Sequence, residues 1–143
     1  MKVMVMVRAT AEGESEDFAI DPELMEAMGR FNEELAAAGV LLAADGLKPS
    51  RYGARIRYDG ARRQVIDGPF AETKELIAGF WLWQVRSLDE AIEWAKRSPN
   101  PFHSVCEVEI RPLYELDDPI FEDFSDGRRE RKRALQELFE GKR

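Results

Sequence analysis

The chain has one cysteine, one histidine and no apolar run long enough to span a bilayer. A single cysteine, Cys106, excludes an internal disulfide and a cysteine-based zinc site. With His103 the only histidine and the carboxylates scattered without ligand spacing, there is no transition-metal signature, and no cofactor is expected. Glycine-rich phosphate loops and nucleophile elbows are missing as well. Positive charge is in the minority: 21 Lys and Arg stand against 28 Asp and Glu, a net charge of −7. An acidic chain repels phosphate backbones at long range, so nucleic acid is not expected as the main partner. The apolar opening, Met1 to Val7, meets Arg8 too soon for a signal segment, so a cytoplasmic protein with no membrane partner is expected.

What is present concentrates between Asp67 and Val85. Asp67-Gly68-Pro69 reads as a turn that ends a strand abruptly, because glycine admits positive φ and proline fixes φ and donates no hydrogen bond. Glu72, Thr73, Lys74 and Glu75 follow as a dense polar cluster. A helical turn there would make Glu72 and Glu75 neighbours, and carboxylates brought close have their pKa values pushed apart. The alternative is a solvated acidic loop. Phe80 and Leu82 then alternate with Trp81, Trp83 and Val85, so this strand reads as central and covered on both faces.

The remaining elements are legible from spacing. Lys2–Val7 reads as an interior strand covered on both faces, and residues 9–20 as an acidic loop. Asp21-Pro22 starts a helix whose stripe is Leu24, Met28, Phe31 and Leu35, and Gly39 ends it. A strand over 40–47 precedes a hairpin through Asp59-Gly60, with Ala54, Ile56 and Tyr58 inward and Arg55 and Arg57 outward. Ser87 to Glu90 matches a capping box for a second helix. Residues 105–111 form the last core strand, with Glu107, Glu109 and Arg111 on one polar face that suits an exposed edge or a polar cleft. This order is that expected of a ferredoxin-like α+β sheet with an extra hairpin. Beyond Tyr114 the composition shifts to an acidic stretch with Phe121 and Phe124. A basic run at 128–133 follows, then a short stripe of Leu135, Leu138 and Phe139. The domain is placed at 1–115, and 116–143 is an extension that is either a docking arm for a protein partner or a frayed tail.

The string Asp67-Gly68-Pro69-Phe70, followed by Ala-Glu-Thr-Lys-Glu and a glycine before the aromatic strand, resembles the signature of the YCII-related family, in particular its DGPF subgroup. Ala91 to Ala95 and Glu109 to Pro112 resemble that subgroup's second helix and closing strand. The resemblance implies a ferredoxin-like fold that forms a homodimer of the α/β-barrel type. It also implies a role as yet unsettled. Some relatives are enzymes on small ring compounds with a His–Asp acid/base pair, and others are linked to sigma factors. The family's histidine lies in or near the first strand, which here carries Met and Val with Arg8 at its end.

Two functions follow as expectations. The first is cofactor-independent acid/base chemistry on a small polar or aromatic acid. Asp67 would be the base, and Glu75 or His103 the second proton carrier. Lys74, Arg111 and Arg8 would bind the anion beside Glu72. Equally open is that Arg111 pairs with Glu72 or Glu75 and clamps the loop, and that His103 is a surface residue. The second is a non-enzymatic, small-ligand-binding or regulatory dimer linked to transcription.

Overall fold

The computed structural model describes residues 1–122 and 126–141; Phe124 lies outside them. In chain order the elements are β1 (Lys2–Arg8), α1 (Ala11–Glu14), α2 (Pro22–Ala37), β2 (Leu41–Gly46), β3 (Ala54–Asp59), β4 (Arg62–Asp67), β5 (Ile77–Gln84), α3 (Leu88–Lys96), β6 (Val108–Pro112) and α4 (Asp126–Glu140). The fold is α+β. Four strands form an antiparallel sheet in the order β2-β5-β1-β6, and β3 and β4 form a separate two-stranded sheet. The chain divides into two units, Met1–Pro112 and Leu113–Arg143. Among the described residues, no helix is long and apolar enough to cross a membrane.

Alternation along the strands decides where the core lies. Val3, Val5 and Val7 of β1 pair with Trp83, Trp81 and Gly79 of β5. These valines and tryptophans are buried together with Phe31 and Leu35 of α2 and Ala91 of α3. Phe31 meets Trp81 edge-on, with ring centroids 6.0 Å apart. Burying a Leu or Val this completely contributes about 1.5–3 kcal/mol each. Both helices therefore cover the same face. Met4, Met6, Phe80 and Leu82, on the other face, are only half-buried, which corrects the expectation that β1 and β5 are covered on both sides.

The helix ends follow their sequence signals. Asp21 accepts from the Glu23 amide at 2.9 Å, with Pro22 at the first helical position. At the other end Gly39 takes φ 74°, and the amides of Gly39 and Val40 bond back to the carbonyls of Ala36 and Leu35. In α3, Ser87 accepts from the Glu90 amide at 3.1 Å. The return bond expected of a capping box goes one residue earlier, from the Arg86 amide to Glu90 at 2.8 Å.

Three segments differ from their reading. Residues 11–14 within the expected acidic loop form α1, capped by buried Thr10. The last strand begins at Val108 rather than Val105 and is an edge of the sheet, which explains how it carries exposed Arg111 and half-exposed Glu109. The hairpin has no inward face, because two strands without a covering layer cannot bury one: Ile56 is 45%, Val65 65% and Tyr58 70% exposed.

The second unit holds α4 and a short turn, Pro119–Phe121. Within it Phe121 packs edge-on against Tyr114 at 5.7 Å, and Lys132 sits 3.5 Å from the centre of the Phe121 ring.

Candidate functional site

The Asp67 turn is built as a joint. Asp67 itself pairs with Ala54 at the end of the hairpin and is exposed. The Gly68 amide bonds to the Gly53 carbonyl at 3.1 Å, and the Phe70 amide to the Ser50 hydroxyl at 3.1 Å. A β-carbon on Gly68 would overlap the Ser50 carbonyl oxygen and lie 2.7 Å from its carbon, so only glycine fits. The Gly68–Pro69 peptide is cis. The Phe70 ring carries the Arg55 guanidinium at 3.9 Å. Ser50, in turn, donates its amide to the Glu14 carboxylate at 2.8 Å.

The charged cluster is drawn to the last strand through Arg8 rather than Arg111. The Arg8 guanidinium pairs with Glu109 at 3.0 Å and also donates to the Lys74 carbonyl. This bridges the 73–75 turn and β6, and it occupies the cation that was expected to bind an anion. Glu72, Lys74, Glu75 and Arg111 are exposed. His103 pairs not with Asp67 but with Asp21, Nε2 to Oδ2 at 3.1 Å. The same Asp21 caps α2 with its other oxygen, so the helix start orients the imidazole.

An apolar concavity lies elsewhere, on the helix-covered face. A cavity of about 370 Å³ opens between α2, the ends of β2 and β5, and the 13–20 segment. Trp81, Met28, Phe18, Ile20 and Phe102 give it an apolar wall. Asn32 and Asp45 are the polar residues of its lining, and the Asp45 side chain, opposite Phe80, is on the other face of the sheet. A smaller hollow of about 180 Å³ shares Phe18, Ile20, Met28, Pro101 and Phe102 with it and includes Asp21 and His103. Another, of about 190 Å³, is lined by Glu14, Ser50 and Phe70 of the joint. Asp67, Lys74, Glu75 and Arg111 line none of these three.

Short-range anchors shape this cavity. Glu12 of α1 accepts from the Ser104 hydroxyl at 3.1 Å, and Glu14 holds Ser50, so one helical turn ties two loops around the rim. A β-carbon on Gly13 would sit 2.6 Å from the Phe102 ring, so glycine lets that ring close the wall. Asn32 accepts from Trp81 Nε1 at 2.7 Å. The sequence carried one signal of the site: Asn32 is a polar residue four places after Met28, on the inward edge of an apolar stripe. Among the described residues, no cluster of three or more His, Cys, Asp or Glu side chains is placed to hold a metal ion.

Two comparisons with known proteins identify the family. Residues 1–114 match the YCII-related domain. The chain is also 37% identical over 93 residues to an uncharacterised protein of Rhizobium meliloti, a match covering 65% of this chain and 75% of that one. The chain belongs to the YCII-related family.

Proposed function

We propose that this chain binds a small ring compound in the cavity beneath α2, with His103, oriented by Asp21, as the proton carrier beside it. The observation that carries this reading is the cavity itself. Its volume of about 370 Å³, its aromatic wall and the polar Asn32 fit the size and chemistry of small-ligand sites. The strand order supports a ferredoxin-like assignment, and the Asp-Gly-Pro-Phe joint supports placement in the DGPF subgroup. The half-buried sheet face supports a homodimer. In this reading Asp67, Lys74, Glu75 and Arg111 are exposed residues outside the cavity lining.

Toluene, the minimal ring, tests it. Saturation transfer from the protein to toluene and a change in tryptophan emission are expected, since Trp81 lines the wall. Gly46 supplies the control. It lines the cavity, and a β-carbon there meets nothing within 4 Å. Gly46→Leu should therefore fill the hollow, keep the fold and abolish both signals. Binding that persists unchanged in Gly46→Leu refutes the site. Ring compounds that bind are then followed for conversion: His103→Gln should retain binding and lose conversion.

A non-enzymatic module is the second reading. It is favoured by α4, on which Leu135, Leu138 and Phe139 are each more than half exposed. Wild-type protein that binds rings, converts none, and needs residues after 112 to capture a protein partner would establish it.

A further inference from the structure

We infer that the cavity selects neutral ring compounds bearing a hydrogen-bond acceptor and rejects their carboxylate analogues. The inference rests on the binding site proposed above and specifies its ligand. Two observations carry it.

The first is the orientation of Asn32. An indole N–H can only donate, so the group 2.7 Å from Trp81 Nε1 must be the amide oxygen. That fixes which end of the amide is which, a choice often left open. The amide nitrogen is then the remaining functional end, and it donates to no group among the described residues. Asn32 lines the cavity, so this nitrogen is the wall's uncommitted donor. A carbonyl or similar acceptor on the ligand would satisfy it.

The second is the sign of the charge. No lysine, arginine or histidine is in the lining, and the one charged residue there, Asp45, stands opposite Phe80, with its side chain on the other face of the sheet. An anion entering this hollow loses water and meets no lysine or arginine. A neutral amide or phenol escapes that penalty and can accept from Asn32. The charged residues near the Asp67 turn cannot help, because they line other ground.

Benzamide and benzoate separate these cases, since they share a ring and nearly the same size but differ in charge. Benzamide should bind at least about tenfold more tightly than benzoate at pH 7. Asn32→Asp keeps an acceptor for Trp81 but removes the donor. It should weaken benzamide by about tenfold while leaving toluene unchanged. Benzoate binding as well as benzamide, or benzamide binding Asn32→Asp as it binds wild type, overturns the inference while toluene binding keeps the site. If neither toluene nor benzamide binds, the site itself falls and the inference with it.

Discussion

At the scale of single residues, the Asp-Gly-Pro-Phe string separates into parts with different duties. Gly68 has no room for a side chain, because Ser50 backbone atoms occupy the place a β-carbon would take. Gly68→Ala must therefore move backbone rather than a flexible side-chain tip. We expect a loss near the upper end of the roughly 1–3 kcal/mol typical of overpacking, a fall in Tm of about 10 °C. Asp67 is exposed at a strand end, so Asp67→Asn should leave Tm within about 2 °C, as surface substitutions generally do. Thermal unfolding of the two variants side by side checks both, and equal losses would mean that the aspartate is part of the joint. The turn was legible in the sequence because Gly and Pro restrict the backbone locally. Its docking partner was not, since Ser50 lies eighteen positions away and carries no pattern of its own.

At the scale of elements, periodicity told the truth wherever a layer of protein covered the element. Phe31 and Leu35 of the α2 stripe and the valines of β1 are buried as their spacing requires, while Leu24 and Met28, nearer the helix start, are half-buried. It failed for the hairpin, where Ile56 and Tyr58 alternate with arginines yet nothing of the sheet lies over them, so alternation marked a strand but not a core. It also missed α1, whose four residues are too few for a helical period and are held by the carboxylates of Glu12 and Glu14 instead. The start of α3 yields a pH prediction. Glu90 accepts first from the Arg86 amide and then from its guanidinium, and these bonds hold its carboxyl below the usual glutamate range. The unfolded chain binds that proton more readily, so the clamp stabilises the fold at neutral pH. Its contribution is lost as pH falls through the lowered value. The difference in Tm between wild type and Glu90→Gln should be full at pH 7 and shrink towards zero in acid; a difference independent of pH would show that the carboxylate's charge is not what matters.

At the scale of the whole molecule, the candidate cavity could not be read in advance, because its wall comes from six separated segments that only the sheet order brings together. Sequence reasoning instead placed the site where charge was densest, and dense surface charge mostly stays in water. The same sheet order leaves one large feature to explain. Two helices cover a single face, and the other presents Met4, Met6, Phe80 and Leu82 in register across β1 and β5, half-buried and apolar. Register also places Ala43 opposite Leu82 on that face. The apolar centre of this face is costly to leave in water, the register sets Asp45, Glu109 and Arg111 on its flanks, and the proposed homodimer would cover it with a second copy of the chain. A stable pairing needs roughly 800 Å² from each partner, about what a four-stranded face provides. Sedimentation velocity should show a dimer at micromolar concentration, and Leu82→Glu should give a folded monomer, because a charge at the centre of that face is left unpaired only in the dimer. Leu138→Glu, on the exposed stripe of α4, should not change the mass. A monomeric wild type, or a Leu82→Glu protein that still dimerises, would move the interface elsewhere and leave this sheet face to a different partner.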